Sequence, residues 1–261
     1  MAQASPVPHW ETFYASDDVV RHYARQSRLQ LPERAIFDRI GPALSESHLL
    51  DLGVGGGRTT MELALRCKRY LGADFAAPMV AACRERFAEL ILKHGLRFEV
   101  VDARAMPFED ASFDIVLFSF NGIDLVGADA RATALSECRR VLRPGGHLVY
   151  SSHNLSWMDR RRAIRWQGLR DYLETQRFWS HMRRINRGVW PIDGREWAEL
   201  IDPLAGGCNY YVRPRELVRQ TLAHGFEDLH LFDLKGQQVD NPAAQAQLTD
   251  PWVYVHARAS R

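Results

Sequence analysis

Two rhythms of apolar residues alternate along the chain. Short, nearly continuous apolar runs stand at 49–52, 115–120 and 147–151. Each is too short for a surface helix and suits a strand buried on both faces of a parallel sheet. Residues 70–74, 96–101, 226–234 and 252–259 read as four more strands. Between the strands, apolar residues recur at helical spacing. Residues 58–69 carry Met61, Leu63, Ala64, Leu65 and Cys67, and residues 78–92 carry Met79, Val80, Cys83, Phe87, Leu90 and Ile91. Residues 128–142 and 214–224 follow the same pattern, as does 32–40, which has Pro32 in its first turn. Strand alternating with helix predicts an α/β fold.

The most informative junction is the first. The run 49–52 contains Asp51 and leads straight into Gly53-Val54-Gly55-Gly56-Gly57. A strand, a glycine turn and a helix open an α/β nucleotide-binding unit. The glycines allow a tight turn and a close backbone approach to a ligand. A dinucleotide fingerprint, G-x-G-x-x-G, requires a third glycine at position 58, which is Arg58. The spacing is instead Asp51-x-Gly53-x-Gly55-x-Gly57. The second strand ends in Asp74, about 20 residues past the loop, where such folds hold ribose hydroxyls through a carboxylate.

These residues resemble the first motif of the class I S-adenosylmethionine (SAM)-dependent methyltransferases, small-molecule group. The string Val141-Leu142-Arg143-Pro144-Gly145-Gly146-His147-Leu148 resembles the turn before their fifth strand. The likeness covers roughly 35–148 well and the C-terminal strands loosely. It implies a doubly wound, seven-stranded, mostly parallel sheet with a helical cap insert and an antiparallel last strand. It also implies SAM as cofactor and S-adenosylhomocysteine as product. Asp51, Gly53, Gly55 and Gly57 would then form the cofactor loop, and Asp74 would hold the ribose. Phe75 and Met79 would pack on the adenine. Asp102 and Ala103 match the positions that bind its edge, and Asn121 would touch the methionine end or the acceptor. Tyr14, Tyr23 and Tyr211 are candidate acceptor-pocket residues. His153 ends the fifth strand on the same edge and is the candidate general base, because imidazole titrates near neutrality.

The expected organisation is a single methyltransferase domain. It divides into N-terminal helices at 1–40, a SAM-binding core at 41–152, a cap insert at 153–208, and a C-terminal helix and strands at 209–261. Residues 157–187 hold nine arginines against three acids, although the whole chain is only +2. Three readings stay open for them: a solvated helix face, a surface for an anionic acceptor, or an RNA contact. Residues 189–207, with two tryptophans, two prolines and three glycines, read as an irregular lid. An RNA-modifying methyltransferase and a non-catalytic SAM-binding protein remain alternatives to a small-molecule enzyme.

The rest of the composition narrows the setting. No run approaches the ~20 apolar residues of a membrane span. Residues 1–8 lack the pattern of a secretory signal. The four cysteines are dispersed, which argues against structural zinc and a disulfide framework. The expectation is a cytoplasmic protein with reduced thiols, no metal and a small-molecule partner.

Overall fold

The structure, a computed structural model, describes residues 16–162, 169–203 and 207–261. The Asp51 run is strand β1 (His48–Leu52), near the middle of the sheet. Leu49 and Leu50 point to opposite faces and both are fully buried. Each contributes about 1.5–3 kcal/mol of burial free energy. Strands β2 (Arg69–Asp74), β3 (Arg97–Val100), β4 (Phe113–Phe118) and β5 (Leu142–Asn154) run parallel to it in the order β3-β2-β1-β4-β5. Beyond β5 come β10 (Trp252–Ala259) and β8 (Phe226–Phe232), with β10 antiparallel to both neighbours. This is the expected doubly wound, mostly parallel sheet with a reversed last strand.

Three further strands were not foreseen. Strands β6 (Trp197–Asp202) and β7 (Gly207–Val212) pair antiparallel, and β7 adds to the end of β5 at His153↔Tyr211. The short β9 (Gln238–Val239) pairs with β8. The stretch 189–207 is therefore partly a strand rather than an irregular lid. Alternation explains it: Ala198, Leu200 and Asp202 turn inward while Trp197, Glu199 and Ile201 stay more exposed.

Ten helices are described: α1 (Asp17–Ala24), α2 (Leu31–Ile40), α3 (Thr60–Leu63), α4 (Ala77–Arg86), α5 (Ala88–His94), α6 (Ala128–Val141), α7 (Leu155–Arg162), α8 (Leu169–Ile185), α9 (Pro214–Ala223) and α10 (Pro242–Ala246). The helix expected over 58–69 shrinks to α3. Its flanks have other partners: Arg58 pairs with Glu33, Thr59 bonds to Asp51, and Ser47 O accepts from Lys68 and Arg69 N–H as β2 begins. The helix expected over 78–92 breaks at Phe87, whose ring turns inward to stack on Phe98 at 5.7 Å. Strand β4 also stops early, because Phe120 and Asn121 adopt positive φ.

Two apolar clusters cover the faces of the main sheet. A third is built from the insert and β7, with Met158, Trp179, Met182, Leu200 and Tyr211 at its centre. Polar ties join the layers. Glu33 on α2 makes a bidentate, buried pair with Arg58 at 2.6 and 2.7 Å and also accepts from Tyr254 Oη at 3.0 Å. Breaking such a pair by removing one partner costs about 3–5 kcal/mol. Arg58 thus takes the place of the missing glycine because the N-terminal helix requires a cation there.

Candidate functional site

The carboxyl ends of β1, β2, β4 and β5 share one edge of the sheet, where open α/β sheets place ligands. A cavity of about 410 Å³ lies along it. Its floor is Gly53 and Gly55, both at positive φ, a region that side chains disfavour. Gly56 passes so close to α1 that a Cβ there would lie 2.3 Å from the Ala24 nitrogen. The loop is thus roofed by the helix that carries Tyr23.

Asp74 ends β2 at the cavity. Its two oxygens accept N–H bonds from Gly55 at 2.8 Å and Ala76 at 2.9 Å, while burial pushes its carboxyl pKa up. Phe75, Met79, Asp102 and Ala103 also line the cavity. The Asp102 carboxylate holds Arg104 through Nε at 2.9 Å and Nη2 at 2.6 Å, and that partner lowers its pKa.

Two loop residues do not line this cavity. Asp51 accepts from Thr59 Oγ1 and from Tyr70 Oη, the latter at 2.6 Å, and burial raises its pKa to about 6. It braces the loop from beneath. Gly57 packs on Phe87, where a Cβ would stand 2.3 Å from the ring. Both serve the loop's shape.

A second cavity of about 330 Å³ adjoins the first, and Tyr23, Phe120 and Leu125 line both. Its further lining includes Asn121, His153, Trp157, Asp202, Asn209, Tyr211 and Trp252. Asn121 thus lies here and outside the first cavity's lining. Tyr211 faces the His153 ring at 5.0 Å and donates its hydroxyl to Asp202 Oδ2 at 2.7 Å. Tyr14 lies outside the described residues. Of the insert's arginines with described side chains, none lines either cavity.

The sequence reading missed Asp124. It sits in a short 3-10 turn after β4 and is buried. Its Oδ2 accepts from the His153 backbone N–H at 2.7 Å and lies 2.8 Å from His153 Nδ1. Its Oδ1 accepts from Ser152 Oγ at 2.7 Å and Arg131 Nη1 at 2.5 Å. Arg131 stacks in turn over the Tyr210 ring, 4.6 Å from its centroid. The available signal was positional: an acid just past one strand end and a histidine at the next.

The first cavity fits SAM in shape and donor set. It offers a glycine floor, a carboxylate at the second strand end, and apolar faces at Phe75 and Met79. The polar groups suit a nucleoside without phosphates: two acids, Asp74 and Asp102, stand in the lining, and Arg104 there is held by Asp102.

Residues 49–146 match the family described as a methyltransferase domain. The demethylmenaquinone methyltransferase of Beutenbergia cavernae is 34% identical over 154 residues, 57% of this chain and 60% of the relative. The O-methyltransferase cnsE of Penicillium expansum is 33% identical over 117 residues, 44% and 41% of the two chains. The chain thus spans about half the length of the curated relatives it matches. Among solved structures, the CcbJ methyltransferase of Streptomyces caelestis superposes with a TM-score of 0.61 at 20% identity, covering 96% of this chain and 99% of the other. Residues 49–146 thus resemble a methyltransferase domain, and the sheet around them has the Rossmann-like architecture of the solved methyltransferases it superposes on.

Proposed function

We propose that the protein moves a methyl group from SAM to an oxygen or nitrogen atom of a small molecule. The observation that carries this reading is the pair of adjoining cavities. The first has the glycine floor and strand-end acids of a nucleoside site. The second is small, aromatic and fitted with a histidine, and it shares three walls with the first. Volumes of a few hundred Å³ suit small ligands. The relatives named for methyl transfer to small molecules support the same class.

In this reading Asp74 holds the ribose hydroxyls, and Asp102 and Ala103 meet the adenine edge beside Phe75 and Met79. When bound, SAM supplies a methyl group already activated on a sulfonium. The chain's own work is to orient the acceptor, exclude water and manage any proton. Tyr23, Phe120 and Leu125 separate the two sites and set the line of approach. His153, at the end of β5, is the group placed to receive a proton from the acceptor.

Calorimetry tests the cofactor half: SAM and S-adenosylhomocysteine bind while NAD does not. NAD binding without any response to SAM would refute the reading. Radiolabelled SAM with fractionated cell extract, with and without nuclease, tests the acceptor half. Label carried by a nuclease-resistant small molecule is the expected result.

A further inference from the structure

The second cavity holds hydrogen-bonding features that go beyond a generic acceptor site. Asp124 is ion-paired to Arg131, so its carboxylate only accepts hydrogen bonds. His153 Nδ1, 2.8 Å away, therefore carries its hydrogen and donates it to Oδ2. With the one ring hydrogen on Nδ1, Nε2 is the accepting nitrogen. Nε2 lies 3.2 Å from Asn121 Nδ2, which donates to it. The other atom of that carboxamide, Oδ1, is buried with no hydrogen-bond partner. Asn121 as a whole is only 7% exposed. A buried unpartnered oxygen in a cavity wall costs about 1–3 kcal/mol and calls for a ligand or a change of partner.

An acceptor nitrogen beside a donor amide is complementary to a hydroxyl. An O–H donates to Nε2 while its oxygen lone pair accepts from Nδ2. An ammonium has no lone pair for Nδ2, a neutral aromatic amine offers only a weakly accepting one delocalised into its ring, and a carboxylate has no hydrogen for Nε2. The walls are rings: Tyr23, Phe120, Trp157, Tyr211 and Trp252. Such surfaces favour a flat aromatic ligand through offset or edge contacts. An aromatic hydroxyl ionises near pH ~10, as tyrosine does, within reach of an oriented imidazole in a way that an aliphatic alcohol is not.

We propose, building on the methyl-transfer reading, that the second cavity takes an aromatic hydroxyl compound, held between His153 Nε2 and the Asn121 carboxamide. His153 is the catalytic base, and Asp124 is the positioning residue that keeps the ring hydrogen on Nδ1. The acceptor's O–H bond breaks as Nε2–H forms. The freed oxygen pair bonds the methyl carbon while the C–S pair stays on sulfur, giving aryl methyl ether and S-adenosylhomocysteine. Asp124 balances the imidazolium until its proton passes to water. Rotation of the Asn121 amide then offers Oδ1 to Nε2–H and satisfies the orphaned atom.

The test uses the full chain loaded with S-adenosylhomocysteine and three probes of one shape: 2-naphthol, 2-naphthylamine and 2-naphthoate. Calorimetry is expected to show 2-naphthol binding at least roughly tenfold tighter than either relative, the scale of one buried hydrogen bond to a polar group. In His153→Leu that preference falls within about twofold. Nitrogen NMR of the histidines, which needs no variant, is expected to find the His153 hydrogen on Nδ1, and Asp124→Asn to move it to Nε2. Equal binding of the three probes, no binding of any, preference for the naphthoate or the naphthylamine, or a wild-type hydrogen on Nε2 overturns the proposal. Failure of S-adenosylhomocysteine itself to bind refutes the methyl-transfer reading instead.

Discussion

The two cavities share three wall residues yet are made in opposite ways. The first is assembled from consecutive strand ends and their following turns, and its key groups are backbone glycines with an acid closing β2. The second is assembled across long separations. Asp124 and His153 are 29 positions apart, and Tyr211 comes from a strand added after the insert. A parallel sheet brings its strand ends to one edge whatever the surface carries, so a nucleoside site follows from the fold. An acceptor site needs extra chain. Here the insert, the 3-10 turn after β4 and the β6-β7 hairpin line the second cavity, which is the proposed acceptor site.

The sharpest way to break this division is His153→Ala. If the imidazole moves a proton, turnover falls by about 10²–10⁴-fold while SAM affinity stays within about twofold. Single-turnover transfer and calorimetry read the two halves separately. A loss in both would merge the cavities into one functional unit.

Gly56→Ala strikes what the cavities share. The added Cβ meets the backbone of Tyr23 and Ala24, so α1 must shift. The expected cost is about 1–3 kcal/mol of stability, as for overpacked sites, measured by denaturant unfolding. Binding in both cavities should weaken together. Asp74→Ala is the complementary probe of one cavity. It should weaken S-adenosylhomocysteine by about 1–3 kcal/mol, the scale of unpaired hydroxyls, and leave the second cavity's probe preference unaltered.

The smallest effect concerns neither cavity and serves as their control. His147 Nδ1 and His256 Nε2 stand 2.9 Å apart between β5 and β10. Burial lowers their pKa values to about 4 and about 3. Unfolded histidines bind protons near pH ~6.5, so the unfolded chain takes up protons first on acidification. The stability these residues contribute is present above that value and is lost as pH falls towards 4. Melting temperature against pH should show this decline, and His256→Phe should reduce it.

What could be read from the chain follows the same division. The glycine loop, Asp74 and the Asp102-Ala103 step are local patterns at strand ends, and the structure places Asp74, Asp102 and Ala103 in the lining of one cavity. Asp51 and Gly57 belong to the same pattern but lie beneath the loop, because a motif records what the turn needs as well as what the ligand touches. Asn121, read as meeting either the methionine end or the acceptor, takes positive φ after β4 and lines the second cavity. Asp124 left only a positional trace and the Glu33–Arg58 pair none, because their partners come from distant segments and no spacing rule encodes such a contact. The hairpin β6-β7 was obscured by Trp, Pro and Gly, residues that signal turns more strongly than alternation signals a strand.

Tyr23 on α1 belongs to both linings. A side chain shared by two ligands makes them thermodynamic neighbours. Any shift of α1 that one ligand favours changes a wall met by the other. Linkage requires the effect to be mutual: whatever factor the nucleoside contributes to acceptor affinity, the acceptor returns to the nucleoside. On the proposed reading, the roof over the glycine loop is therefore also a wall through which each occupant acts on the affinity of the other.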